Sequence, residues 1–131
     1  MILTTRGRYA VMAVIEIADA KTNQPLSLTA ISARQKISLS YLEQIFSRLK
    51  KAGIVKSIKG PGGGYILGDD RKKITLAKII KATGEPMKMT ACATANKSCT
   101  NKSGKCRTHK IWCGLENKIY EYLDSISLQN L

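Results

Sequence analysis

Residues 37–53 read ISLSYLEQIFSRLKKAG, a pattern that predicts an amphipathic helix ending near Ala52. The apolar residues recur at i, i+3, i+4 and i+7 and therefore form one buried stripe: Leu42, Ile45, Phe46 and Leu49. Polar and basic side chains are left for the outer surface: Ser40, Glu43, Gln44, Ser47, Arg48 and Lys51. Gly53 closes the helix, because glycine tolerates the left-handed backbone of a helix C-terminus.

A shorter helix precedes this one, from Ser27 to about Gln35, and a tight turn at residues 36–38 joins the two. Two helices joined by a short turn, the second with a polar outer face and a basic end, are typical of a helix-turn-helix. A helical hairpin with no DNA-binding role fits the same two segments. The choice between them depends on the residues that follow.

Those residues predict a β-hairpin. Residues 54–58 alternate like a strand, and Tyr65-Ile66-Leu67 form a return strand. The turn between them is Lys59-Gly60-Pro61-Gly62-Gly63-Gly64, and its glycines would let the backbone approach a DNA groove closely. A glycine-rich hairpin directly after a recognition helix is a wing. A phosphate-binding loop is disfavoured, because no Lys-Ser or Lys-Thr and no helix follow the glycines.

Three further helices complete a fold that we predict to be mainly α with a small β wing. They span about residues 4–20, 75–84 and 108–125, the first two beginning at threonines that can cap them, and residues 21–26 form a polar loop. The last helix carries an apolar seam at heptad-like spacing: Ile111, Leu115, Ile119, Tyr122 and Ile126. This seam fits either docking on its own domain or a two-fold dimer contact, the usual arrangement of such DNA readers.

Positive charge is concentrated in the N-terminal part of the chain. The 22 Lys and Arg residues against 9 Asp and Glu give a net charge of +13. Residues 1–84 carry 15 basic and 5 acidic side chains, a net +10, whereas the remainder carries 7 and 4, a net +3. This surplus suits a nucleic acid, and with the helix-turn-helix and the wing it indicates double-stranded DNA as the partner. A basic surface kept for solubility or for anionic lipid fits the charge alone equally well.

We therefore divide the chain into a winged helix-turn-helix DNA-binding domain (1–84), a linker and metal-binding loop (85–107), and a dimerisation helix with its tail (108–131).

No signal peptide or membrane span is expected, since charged residues closely frame the apolar residues 9–18. We expect a cytoplasmic protein without membrane contact. Cysteines in that compartment are more often metal ligands or redox-active thiols than structural disulfides.

Three cysteines and the only histidine have the spacing of a metal site. Cys92, Cys99 and Cys106 are separated by six and six residues, and His109 follows after two more. Three thiolates and one imidazole suit structural zinc, and they also suit an iron-sulfur cluster in which histidine replaces one thiolate. Spacing alone leaves both open, with surface thiols as a third interpretation. Cys113, one turn past His109, is expected to be a small hydrophobic residue, with a substitute ligand as the alternative.

An enzyme is not expected, because the single histidine belongs to the metal motif and no nucleophile with a base is evident.

Four features of the chain are distinctive in combination: TRGRYA (5–10), ISLSYLEQ (37–44), KGPGGGY (59–65) and the later cysteines. Together they resemble the IscR-type family of bacterial iron-sulfur cluster regulators. The resemblance covers the whole chain. It implies a homodimer whose C-terminal helices cross, with the recognition helix in the major groove and the wing in the minor groove. In this family arginine is usual where Lys59 stands, and lysine lacks the flat fork that suits a narrow groove.

The resemblance also implies the residues that contact DNA. Base edges would be contacted by Ser40, Glu43 and Gln44, the DNA backbone by Tyr9, Ser38 and Tyr41, and the groove at the wing by Lys59 and Gly60. Ser40 and Glu43 also match a capping box, which offers a purely structural alternative for Glu43.

For the metal site, the resemblance implies a 2Fe-2S cluster held by Cys92, Cys99, Cys106 and His109, with both gaps between cysteines one residue longer than usual. The protein would repress cluster-assembly genes while it holds the cluster, and it would contact the assembly machinery for cluster delivery. The alternative is a zinc-binding or thiol-redox-sensing regulator of the same fold.

Overall fold

The computed structural model describes residues 3–21, 24–90 and 106–131. Its elements follow the predicted order: α1 (Thr5–Asp19), α2 (Leu28–Gln35), α3 (Leu39–Lys51), β1 (Val55–Ile58), β2 (Gly64–Leu67), α4 (Leu76–Ala82), α5 (His109–Asp124) and a short 3-10 helix (Leu128–Asn130). The predicted fold, mainly α with a two-stranded antiparallel wing, is confirmed.

Side-chain caps define the helix-turn-helix. The Ser27 hydroxyl accepts a hydrogen bond from the Ala30 N–H at 3.1 Å and caps α2, and the turn to α3 begins at Lys36, which has a left-handed backbone (φ 54°). Ser38 caps α3 by accepting from the Tyr41 N–H at 3.2 Å. Ser40 lies inside the helix, so the alternative in which Ser40 and Glu43 form a capping box is wrong.

The wing is anchored to the segment before α2. Val55 pairs with Leu67 and Ile58 with Gly64 across the hairpin. Leu26, expected in a polar loop, instead exchanges two backbone hydrogen bonds with Tyr65, at 3.0 and 2.9 Å. A side chain at Gly64 would collide with the Leu26 backbone, which explains the glycine at this position.

One hydrophobic core joins the recognition helix to its supports. The predicted stripe of α3 is buried, and the core is completed from the other elements by residues that include Val14, Ile31, Val55, Ile74, Ile79 and Leu128. Phe46 is fully buried, and its ring packs edge to face with the Tyr65 ring, with ring centroids 4.8 Å apart. Because protein interiors are close-packed, this contact sets the position of the wing relative to α3.

The end of the chain returns to the winged helix after α5. The Leu128 N–H donates to the Ile74 carbonyl at 3.0 Å, and the Leu76 N–H donates to the Ile126 carbonyl at 2.9 Å. Helix α5 has already ended at Asp124, so Ile126 belongs to this docked tail. The part of the prediction that placed Ile126 in the helical seam is therefore wrong.

Candidate functional site

The outer face of α3 forms an open groove with basic sides. Ser40, Glu43 and Gln44 are all exposed at this groove, as predicted. Arg6 of α1 lines one side, and Lys51 lies at the basic end of α3. Carboxylate and amide groups can form hydrogen bonds with the edges of nucleobases, and the flanking basic side chains can neutralise phosphates. The surface therefore has the chemistry of a major-groove reader.

The three residues expected to contact the DNA backbone lie together at the start of α3. The rings of Tyr9 and Tyr41 pack edge to face, with centroids 6.0 Å apart and planes at 78°. Ser38 is exposed beside them, and its oxygen accepts from the Tyr41 N–H. A hydroxyl that accepts one hydrogen bond still has its own proton to donate, so Ser38 can cap the helix and bind a phosphate at once.

The tip of the wing is fully open. Lys59 and Gly60 are exposed, and the Gly63 N–H closes the turn on the Gly60 carbonyl at 2.9 Å. Gly60 and Gly62 have positive φ values of 96° and 74°, with no atom within 4 Å of where a Cβ would stand. The turn conformation itself therefore accounts for these two glycines.

Arg48 has a role that the sequence analysis missed. Its guanidinium donates to the Thr83 carbonyl at 2.7 Å, at the end of α4. Thr83 is fully buried, and a Cβ at Gly84 would collide with the Arg48 guanidinium. In the sequence, Gly84 was the one signal near this contact, and it indicated only the end of a helix and not a partner for Arg48. Arg48 thus ties the recognition helix to α4 from the edge of the groove.

The described part of the metal motif lies at the start of α5. The His109 N–H donates to the Cys106 carbonyl at 3.1 Å, which places both residues at the same helix end. The Cys113 Sγ lies 3.4 Å from the His109 Nε2, and the Cys106 Sγ lies 3.5 Å from the Thr108 Oγ1. Cys92 and Cys99 lie outside the described residues. Cys113 is partly buried, as expected, but its thiol contacts the imidazole directly.

The donor set fits either a metal ion or an iron-sulfur cluster. Within residues 3–21, 24–90 and 106–131, no three His, Cys, Asp or Glu side chains lie close enough together to hold a metal ion. Cys106 and His109 supply one thiol and one imidazole, which zinc and iron both accept as ligands. Further donors for a complete site would come from Cys92 and Cys99.

Helix α5 exposes much of its apolar seam. Ile111, Leu115 and Tyr122 are 60%, 40% and 66% exposed, whereas Ile119 is partly buried. Docking on its own domain therefore leaves most of the seam uncovered. None of the helices that the structure describes is both long enough and apolar enough to cross a membrane.

Comparisons with known proteins give a consistent result. The model of the Rrf2 family, described as an iron-dependent transcriptional regulator, matches residues 3–131. The HTH-type transcriptional regulator IscR of Photorhabdus laumondii is 47% identical over the whole chain, which covers 79% of that relative.

Solved structures are similar over almost the whole chain. The structure of T. potens IscR is 33% identical with a TM-score of 0.79, and the match covers 99% of this chain and 85% of that one. The structure of CymR, the global cysteine regulator of B. subtilis, is 32% identical with a TM-score of 0.82, covering 99% and 95%.

Proposed function

Because the chain belongs to the Rrf2 family of iron-dependent transcriptional regulators, we propose that it represses cluster-assembly genes as a cytoplasmic homodimer while it holds a 2Fe-2S cluster. That it is an IscR-type DNA-binding regulator and not an enzyme follows from its close relatives. The observation that carries the cluster proposal is the position of Cys106 and His109 at the start of α5. A group bound there adjoins the helix that carries the exposed seam.

In this proposal, α3 enters the major groove and the wing enters the minor groove. Ser40, Glu43 and Gln44 contact base edges, because their side chains are exposed on the outer face of α3. Tyr9, Ser38 and Tyr41 position the DNA backbone, and Lys59 and Gly60 meet the groove at the tip of the wing. Support comes from the packing of Tyr9 against Tyr41 and from the open turn of the wing.

The cluster would be held by Cys92, Cys99, Cys106 and His109. When bound, it supplies a redox-active group whose presence reports the state of cluster supply. The imidazole of His109 is a weaker donor than a thiolate, so it favours a group that can be lost again. Delivery of the cluster requires contact with the assembly machinery of the cell.

The test is the iron and acid-labile sulfide content of anaerobically purified protein, together with its visible absorption spectrum. About two irons and two sulfides per chain and a coloured protein are expected for a 2Fe-2S cluster. A colourless, zinc-loaded protein with full regulatory activity would contradict the cluster assignment.

A thiol-redox or zinc regulator is the second candidate. The contact of 3.4 Å between Cys113 and His109 and the similarity to CymR favour it. In this case the thiols would form a disulfide on mild oxidation, or the purified protein would carry zinc. Mass spectrometry of the oxidised protein and metal analysis separate both outcomes from an iron-sulfur protein.

Gln44→Ala is expected to change the preferred operator sequence more than the general affinity, because an amide pairs with adenine through two hydrogen bonds. Loss of such a pair costs about 1–3 kcal/mol of discrimination at one base pair. Lys59→Ala is the matched variant, and it is expected to weaken binding to all sequences alike. Binding to a panel of single-base operator variants checks both. The reverse pattern would show that the roles of α3 and the wing are wrongly assigned.

Leu115→Asp is expected to produce monomers that bind operator DNA poorly, because it places a charge in the exposed apolar seam of α5. A desolvated charge without a partner costs several kcal/mol, comparable with the stability of many dimers. Analytical ultracentrifugation checks the change in mass. Asn117→Asp adds the same charge on the opposite side of α5 and is expected to leave a dimer. If Leu115→Asp sediments as an intact dimer, the seam is not the interface.

A further inference from the structure

Glu116 is buried on a helix that is otherwise largely exposed. Its side chain is 9% exposed, whereas its neighbour Leu115 is 40% exposed. The Glu116 Oε1 accepts a hydrogen bond from the Met89 N–H at 2.5 Å, and its Oε2 lies 3.9 Å from the Lys88 Nζ. Lys88 is exposed, so water weakens its attraction, and the bond to the Met89 backbone is the principal contact.

This contact fixes the backbone immediately before the cysteine segment. Met89 is three residues before Cys92 in the chain. The linker is held at its other end as well, because the Glu85 Oε1 accepts from the Thr4 N–H at 2.8 Å, at the start of α1. The path of residues 85–89 from the winged helix to α5 is therefore defined by two carboxylates.

Glu116 also lies on the same side of α5 as His109. The two residues are seven positions apart, which is about 10 Å along the axis and about 20° around it. Cys113 lies between them, and its thiol contacts the His109 ring. The described chain before the cysteine segment therefore contacts α5 at Glu116, on the side that carries the imidazole. After the segment, the carbonyl of Cys106 accepts from the His109 N–H.

We infer that Glu116 is a positioning residue for the cluster site, because its bond to the Met89 N–H holds the chain against α5 three residues before Cys92. It is not a ligand. This inference rests on the proposed function, and it adds a carboxylate that the ligand motif does not contain. Groups that orient the ligands of a metal site commonly change its affinity about 10- to 100-fold when they are removed.

The test compares Glu116→Ala and Glu116→Gln with Glu121→Ala, a matched control at an exposed glutamate on the same helix. Glu116→Ala is expected to lose its cluster to an iron chelator about 10- to 100-fold faster than the wild type. Glu116→Gln keeps an oxygen that accepts from Met89 and is expected to restore most of the retention. Glu121→Ala is expected to behave as the wild type, with the visible circular dichroism spectrum of the cluster unchanged.

A cluster-free measurement tests the contact itself. In the protein stripped of metal, Glu116→Ala is expected to accelerate amide hydrogen exchange at Met89, while Leu128, bonded to the Ile74 carbonyl, stays protected. If the wild-type protein holds a cluster and the Glu116→Ala variant retains its cluster equally well against the chelator, this inference alone is overturned. Wild-type protein without iron and sulfide would overturn the proposed function and the inference with it.

Discussion

Operator affinity is expected to fall by about three to five powers of ten when the monovalent salt concentration rises from about 50 to about 200 mM. The physical reason is counterion release: each phosphate neutralised by Lys or Arg frees a condensed cation, and added salt opposes that release. A dimer with about 6 to 10 phosphate contacts gives this magnitude. The net charge of +10 on residues 1–84 is large enough to supply such contacts.

Fluorescence anisotropy at several salt concentrations measures the effect as the slope of log affinity against log salt, expected at about −5 to −9. Lys51→Ala and Lys59→Ala, at the end of α3 and at the wing, are each expected to make the slope shallower by about one per chain. Lys118→Ala, on α5, is the matched control and is expected to leave it unchanged. A slope near zero would show that phosphate neutralisation does not drive binding.

Replacement of any one of Cys92, Cys99 or Cys106 by Ala is expected to abolish the cluster, because each change removes one of the proposed thiolate ligands. Cys113→Ala removes a thiol from the same region and serves as the matched control, with its absorption spectrum expected to change little. His109→Cys is expected to keep a cluster and to lose it more slowly, since thiolate is a stronger donor to iron than imidazole. Iron and sulfide analysis with visible absorption spectra measures all three effects.

The ligand variants are expected to remain folded and to keep general DNA binding while they lose regulation at cluster-dependent operators. The core of the winged helix is built mainly from α1 to α4, with Leu128 returning from the tail. Of the proposed ligands that the structure describes, Cys106 and His109, neither belongs to this core. Circular dichroism and binding to non-operator DNA check this separation. A bleached Cys113→Ala protein beside an unchanged His109→Ala spectrum would show that the fourth ligand is Cys113.

Local patterns in the sequence were sufficient to predict the fold. The stripe on α3 has the helical period, and burial of one face requires that period wherever the helix sits. Ser27 and Thr75 cap their helices because a cap bonds within its own first turn, three residues away. The domain limits and the metal motif came from sequence patterns, whereas the DNA-contacting residues and the cluster assignment came from the family resemblance. All of them stay predictions.

Contacts between distant residues depended on the tertiary structure. Arg48 bonds to Thr83 and Glu116 to Met89 across 35 and 27 positions of the chain, and no local spacing marks either pair. Leu26 extends the wing because its backbone pairs with that of Tyr65 in an antiparallel bridge. Periodicity identifies which face of a helix is buried, because burial depends only on the local repeat. The partner that meets a polar side chain or a strand edge depends on how the elements pack, so it emerges only once the core has formed.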